Sequence, residues 1–167
     1  MQTTAPRPAA AAHDGARDFD FELGHWTVHN RRLCARLAGC DDWEIFDATV
    51  STRSILDGLG NLEEMRSGHL PGYVGMAIRV YNRAERCWAI HWVDNQRGVM
   101  DPPVHGAFRD GIGVFEGDDV FDGRPIRVRF VWTATDPATP RWEQAFSDDG
   151  GLTWETNWTM DFRRRAA

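Results

Sequence analysis

Two alternating stretches decide the fold, and the first is Ile126-Arg127-Val128-Arg129-Phe130-Val131-Trp132. The second is Trp154-Glu155-Thr156-Asn157-Trp158-Thr159-Met160-Asp161-Phe162. In both, large apolar residues recur at every other position, which predicts β-strands with one apolar and one polar face. Shorter alternations lie at residues 74–80, 88–92 and 142–146, and further strand-like runs lie near residues 25–32, 43–55, 59–67, 104–109 and 112–116.

Turn signals separate these runs, at Asp57-Gly58, Pro71-Gly72, Asp110-Gly111, Asp122-Gly123 and Gly150-Gly151. About ten short strands with no βα alternation predict an all-β antiparallel meander. A meander with one bulky apolar face hides its edges best by closing on itself, so we predict a ten-stranded up-and-down β-barrel. A two-sheet sandwich is the alternative. The one helix-like stretch is residues 32–37.

Length and charge restrict the classes of protein that need be considered. The 167 residues suit one domain, and 42% hydrophobic with 26% charged residues is ordinary for a globular protein. A net charge of −6, with no like-charge run longer than residues 163–165, argues against a nucleic-acid partner. No apolar run approaches the roughly 20 residues of a membrane span. We therefore expect neither nucleic acid nor membrane as a partner.

The cysteines and the start of the chain bear on compartment and boundaries. Cys34, Cys40 and Cys87 are an odd set without a Cys-x-x-Cys pair, which indicates free thiols in a reducing compartment, with a Cys34–Cys40 disulfide as an alternative. Residues 1–16 lack the basic and apolar regions of a signal peptide. We predict a disordered tail at residues 1–16, a single barrel domain at residues 17–167, and a cytoplasmic protein.

Particular residues carry a resemblance to a known superfamily. Gly24-His25-Trp26 follows a short apolar lead-in at residues 19–23 and resembles the Gly-x-Trp signature that opens calycin barrels, which include lipocalins, fatty-acid-binding proteins and nitrobindins. A wider set resembles an uncharacterised bacterial family of calycin-like proteins and covers nearly everything after residue 18. Its segments are residues 21–26, 30–33, 101–103, 142–147 and 154–158. The resemblance implies a barrel but no particular activity.

The apolar rows predict a tryptophan-rich interior. They place Trp26, Trp88, Trp92, Trp132, Trp142 and Trp158 on the inward face, with Gln144 and Thr156 between the large rings. Polar groups set among aromatic rings are typical of a pocket that orients a ligand. We therefore predict that a small apolar or aromatic molecule binds in the barrel, whereas rings that only fill the interior are the alternative. The predicted ligand-binding residues are Trp88, Trp92, Trp142, Gln144, Thr156 and Trp158.

A second set of residues suggests a different class of function. The same register puts Arg79, His91, Arg129, Glu143 and Asn157 on the outer face, where cross-strand ion pairs are the ordinary role. A one-residue slip or a bulge would turn such residues inward and form a general acid–base site. The alternative function is therefore a cofactor-independent isomerase, cyclase or hydrolase, with His91, Arg129, Glu143 and Asn157 as catalytic candidates. A packed barrel that acts through its surface, as a homodimer, is a third hypothesis.

Metal and haem sites are not expected. His25 and His29 share one face of a strand, but no third ligand follows at a suitable spacing. Nitrobindin-like barrels ligate haem through a histidine on a late strand, and this sequence has no histidine after His105. We therefore predict no cofactor.

Residues 147–154 match the Ser-x-Asp-x-Gly-x-Thr-Trp pattern of a hairpin turn, in which Asp149 accepts backbone hydrogen bonds.

Overall fold

The computed structural model describes residues 14–165, and these form one antiparallel sheet of ten strands. The strands are β1 (Gly24–Leu33), β2 (Trp43–Ile55), β3 (Gly60–Ser67), β4 (Val74–Asn82), β5 (Cys87–Asp94), β6 (Val104–Arg109), β7 (Ile112–Phe121), β8 (Arg124–Thr133), β9 (Arg141–Ser147) and β10 (Glu155–Arg164). Two short 3-10 turns, Asp20–Glu22 and Leu56–Gly58, are the only helical elements of the described residues.

The sheet closes into an up-and-down barrel, because each strand pairs with the next and β1 also pairs with β10. At the closure, Trp26 lies opposite Arg164 and Arg32 lies opposite Trp158. The predicted barrel is therefore confirmed, and the sandwich is excluded. All five turn signals fall between strands, where glycines such as Gly72 and Gly123 take the positive φ that a tight turn requires.

The helix expected at residues 32–37 does not form. Arg32 and Leu33 instead extend β1 and pair with Glu44 and Trp43 of β2. Leu37 then takes a φ of 53°, a left-handed conformation that interrupts a right-handed helix. The segment is a bend that carries the chain over one end of the barrel.

The other end of the barrel is closed by residues 14–22, which we call the floor segment. Phe19 is buried among rings of the barrel wall, with centroid distances of 5.0 Å to Trp88, 4.9 Å to Phe108 and 5.6 Å to Phe115. The Gly15 carbonyl accepts a hydrogen bond of 3.0 Å from the Trp88 Nε1. The predicted boundary at residue 16 thus lies inside a packed segment, while residues 1–13 of the expected tail are outside the described residues.

The Gly-x-Trp motif joins the floor segment to the first strand. The Trp26 indole is fully buried, and its Nε1 donates a 2.7 Å hydrogen bond to the Glu22 carbonyl. The Arg164 guanidinium lies 4.2 Å from the Trp26 ring centroid and donates hydrogen bonds to the carbonyls of Phe21 and Leu23. The last strand therefore fixes the entry of the chain into the first.

Two further properties concern the described residues as a whole. No helix among residues 14–165 is long and apolar enough to cross a membrane. The thiols of Cys34, Cys40 and Cys87 are free, so the alternative Cys34–Cys40 disulfide is absent from the structure.

Candidate functional site

The barrel holds a cavity of about 580 Å³ that opens at the end opposite the floor segment. This open end, the mouth, is formed by the β1–β2, β3–β4, β5–β6, β7–β8 and β9–β10 connections. A volume of this size falls in the range of roughly 300–1,000 Å³ that is usual for small-molecule sites. The interior is therefore not packed solid.

Three of the predicted tryptophans line the middle of the cavity. Trp142 and Trp158 meet edge to face with centroids 5.8 Å apart, and Trp142 also meets Phe130 at 5.0 Å. The Trp158 Nε1 donates a 2.9 Å hydrogen bond to the buried Asn30 Oδ1, which fixes the orientation of that ring. Trp92 lies on β5, on the facing wall. The wall is thus built from aromatic faces held by their neighbours.

Trp88 has a different position from the one predicted for it. Its side chain is buried, but it packs against Tyr81 and Phe19 and donates to Gly15 below the cavity. It does not line the cavity described above. The sequence correctly predicts that the Trp88 side chain points into the barrel. It does not predict the height of Trp88 along the barrel axis, because an alternating pattern does not show where the floor segment lies.

A bulge in β10 changes the placement of two other predicted residues. The register of β10 against β9 shifts between Thr156 and Trp158, so the alternation that put both on one face is broken. Thr156 is exposed and does not line the cavity. Asn157 is fully buried, and its Oδ1 accepts a 2.8 Å hydrogen bond from the Gln144 Nε2. Gln144 lines the cavity, and its Oε1 accepts no hydrogen bond from the described residues.

The base of the cavity contains a buried ionic triad: Glu22, Glu63 and Arg79. The Arg79 guanidinium donates to the carboxylates of both glutamates and, at 3.0 Å, to the Asn61 Oδ1. Its Cζ lies 4.9 Å from the Phe19 ring centroid and 5.4 Å from that of Trp132. Since Glu22 belongs to the floor segment and Glu63 to β3, the triad connects the floor to the wall.

Arg79 corrects the predicted register of β4. The apolar row of Val74, Met76, Ile78 and Val80 was expected to face inward, but Gly75, Ala77, Arg79 and Tyr81 face inward instead. One reason is space, because a Cβ on Gly75 would lie 2.2 Å from the Trp92 ring. The second reason is that the inward Arg79 guanidinium pairs with the buried carboxylates of Glu22 and Glu63. The sequence of β4 alone does not predict either of these partners.

The pKa values of the two glutamates in the triad are shifted in opposite directions. Burial raises the pKa of Glu22 well above its usual range, despite the opposing charge of Arg79, and the charge of Glu63 raises it further. Burial also acts to raise the pKa of Glu63, but Arg79 and the hydrogen bond from Glu22 outweigh it, so that this pKa is lowered. The triad therefore places a carboxyl with a raised pKa and a carboxyl with a lowered pKa on the same buried guanidinium.

The mouth carries charges of both signs on opposite sides. Arg97 lies among acidic residues and donates hydrogen bonds of 2.9 and 3.0 Å to the Asp101 carboxylate and one of 3.0 Å to Asp94. These hydrogen bonds, that of Asp101 most of all, raise the pKa of Arg97. On the β1–β2 side, Arg32 and Arg36 lie against the Trp158 ring, at 5.2 and 5.9 Å from its centroid.

The residues predicted to form an acid–base site do not come together. His91, Arg129 and Glu143 all lie on the outer face, on β5, β8 and β9. Strands β5 and β8 are three positions apart in the sheet, which corresponds to about 14 Å. Arg129 stacks on Trp154 at 4.2 Å, and Glu143 pairs with Arg141 at 3.3 Å. Of the five residues expected on the outer face, only two point inward. Asn157 does so because of the bulge in β10, and Arg79 because of the register of β4.

Histidines and metal-binding groups have no part in the cavity. None of the histidines within residues 14–165 lines it, and His29 instead pairs with Asp47 on the surface at 2.9 Å. Those same residues contain no group of three or more His, Cys, Asp or Glu side chains that could hold a metal ion. The Asp149 turn is outside the site and has the expected geometry, with hydrogen bonds of 3.0 Å from the Leu152 and Thr153 amides.

Four residues that matter for the site were not predicted: Glu22, Glu63, Arg32 and Arg36. Glu63 was detectable in principle, because Asn61, Glu63 and Met65 alternate along β3 and place two polar groups on an inward row. Glu22 lies outside any strand, and Arg36 lies in a bend. No periodic signal covers either of them.

Comparisons with known proteins bear on the fold. No protein-family model and no curated protein matches the chain. Among solved structures, the S-type phycobiliprotein lyase CPES from Guillardia theta is similar, with a TM-score of 0.55 and 12% identity over 89% of this chain and 91% of that chain. At this identity the likeness shows a shared barrel fold and nothing further, and no sequence family supports the resemblance to a bacterial calycin-like family.

Proposed function

We propose that this barrel binds a small, largely apolar or aromatic molecule in its cavity. The observation that carries the proposal is the combination of an open cavity of about 580 Å³ with a wall of Trp92, Trp142 and Trp158. An aromatic wall favours flat or aliphatic ligands, because both bury apolar surface against the rings. The similar barrel is a phycobiliprotein lyase, which is consistent with a small-molecule site in this type of fold.

The polar groups of the cavity supply orientation. Gln144 has its Nε2 engaged by Asn157, which leaves its Oε1 as an acceptor for a ligand donor. At the base, the Arg79 guanidinium is already paired with the carboxyl groups of Glu22 and Glu63 and with Asn61, so an uncharged end of the ligand fits there. An apolar body with few polar substituents fits this distribution best.

The test uses N-phenyl-1-naphthylamine, an uncharged dye that fluoresces in apolar surroundings. The protein should bind about one dye per chain, with quenching of tryptophan emission. Trp142→Ala should weaken binding about two- to twelve-fold, because it removes an aromatic contact of about 0.5–1.5 kcal/mol. Its stability cost should stay below the roughly 3–5 kcal/mol expected for a tryptophan in a solid core, because one side of the ring faces open space.

Trp154→Ala is the matched control. Trp154 lies outside the barrel beneath Arg129, so its removal takes away one indole without touching the cavity. Its dye affinity should equal that of the unaltered protein. Absence of dye binding in the folded protein, or equal loss in both variants, would contradict the proposed function.

A further inference from the structure

Four arginines line the cavity and its mouth: Arg32, Arg36, Arg79 and Arg97. Three of them have carboxylate partners. Arg79 is held by Glu22 and Glu63, Arg97 by Asp94 and Asp101, and the Arg32 Nε donates a 2.5 Å hydrogen bond to Glu44. Within residues 14–165, Arg36 has no carboxylate within 4.0 Å and donates no hydrogen bond.

The unpaired guanidinium of Arg36 lies at the mouth of the cavity, where a ligand can reach it. Its side chain is half-buried, and its guanidinium lies over the rings of Phe146 and Trp158, at 5.8 and 5.9 Å from their centroids. Burial, together with the charge of Arg32, lowers the pKa of Arg36 and outweighs the opposing charges of Glu44 and Glu155. A guanidinium that is partly removed from water and faces a second cation has several donors that an anion would satisfy.

The surroundings of the mouth favour an anion at this one position. Arg32 and Arg36 share the Trp158 ring, so an anion that meets Arg36 is attracted by both cations. The opposite side of the mouth carries Asp101, Asp118 and Asp119, which repel it. Arg97 is less suited to the anion, because its guanidinium is already paired with the carboxylates of Asp94 and Asp101.

We propose that the ligand of the cavity is an amphipathic organic anion, whose carboxylate or similar group binds Arg36 at the mouth while its apolar body lies against Trp142 and Trp158. This inference rests on the proposed function and adds the charge and the direction of the ligand. The planar guanidinium offers two parallel N–H donors to a carboxylate or sulfonate, and Arg32 adds a second positive charge.

The test compares two dyes with the same aromatic body. One is the uncharged N-phenyl-1-naphthylamine, and the other is 8-anilino-1-naphthalenesulfonate, which adds one anionic group. The unaltered protein should bind the sulfonate more tightly. Arg36→Met keeps an apolar stem over Phe146 and removes the charge, so it should weaken sulfonate binding about tenfold or more and leave the uncharged dye within about twofold.

Two further variants control the result. Arg31→Met removes the same charge from the exposed outer face of β1, where Arg31 stacks on Trp43 at 5.1 Å, and it should change neither affinity. Arg36→Lys keeps the charge without the planar donor pair, so its sulfonate affinity should be intermediate. Retained binding of the uncharged dye shows that each variant is folded with its cavity intact.

The two proposals fail in different ways. If neither dye binds the unaltered protein, the proposed function is wrong, and this inference falls with it. If both dyes bind but Arg36→Met weakens both equally or neither, the cavity binds small molecules and the anionic subsite is refuted. If Arg31→Met weakens sulfonate binding as much as Arg36→Met does, the effect is one of overall charge and the subsite is likewise refuted.

Discussion

Replacing Arg79 by methionine should destabilise the protein strongly at pH 8 and much less at pH 5. Arg79 is 3% exposed and is the only cation within 4.0 Å of Glu22 and Glu63 among the described residues. Removing one partner from a buried ionic group typically costs about 3–5 kcal/mol, because it leaves an uncompensated charge. Methionine fills most of the same space, so the loss of packing is small.

The pH dependence follows from the two glutamates. Without Arg79, burial raises the pKa of both carboxyls above the usual value of about 4.5. A carboxyl with a raised pKa contributes stability that is present below its unfolded pKa and lost as pH rises through its folded pKa. More of the buried charge is therefore neutralised by protons at pH 5 than at pH 8, and the penalty is smaller at pH 5.

Urea unfolding followed by tryptophan emission, at both pH values, measures the two costs. Arg127→Met is the control, because Arg127 forms a half-exposed pair with Glu116 at 2.9 Å that is worth at most about 1 kcal/mol. Glu22→Gln mimics the protonated glutamate, and it should remove the decline in stability that Glu22 causes as pH rises above about 4.5. A cost below about 1 kcal/mol for Arg79→Met at pH 8, or the same cost at both pH values, would refute the reasoning.

The remaining predictions concern the floor and the last hairpin. Trp88→Phe should cost about 0.5–1.5 kcal/mol in urea unfolding, because it removes the Trp88 hydrogen bond to the buried Gly15 carbonyl, which keeps the Asp18 amide as its other donor; a change within measurement error would mean that the floor segment does not depend on this bond. Asp149→Asn should flatten the pH dependence of Tm in acid. Hydrogen bonds from Thr153 most of all lower the pKa of Asp149, so its contribution is present above pH 3.8 and lost as pH falls through the lowered value. Equal acid profiles for the two proteins would contradict this.

The fold was predictable because its signals are local and repeated. Every strand appears in the sequence as an alternation or a short apolar run, and each turn signal contains glycine at a position of positive φ. Closure followed from the need to hide sheet edges rather than from any one residue. The segment at residues 32–37 was the exception, since Leu33 and Leu37 have helical spacing while Arg32 and Leu33 find strand partners in β2.

The site was less predictable because it depends on contacts between distant residues. Trp142, Trp158 and Gln144 lie in the cavity, as their alternation indicated, but the bulge at Asn157 turned Thr156 outward and left no trace in the pattern. Arg79 was assigned outward because it alternates with the apolar row of β4, which was expected to face inward. Its inward position depends on Glu22, which is 57 residues away in sequence.

Closure of this barrel sets an order on its folding. Strand β1 cannot complete its pairing until β10 has been made, and Trp26 and Arg164 are among the first and last residues of that seam. The floor segment cannot pack until the middle of the chain has been made, because its contacts are with Tyr81, Trp88 and Phe115. Before the last hairpin is in place, a sheet of the preceding strands would have two unpaired edges, and its aromatic face would not be enclosed. Such a chain should fold slowly and should depend on protection from aggregation during that interval.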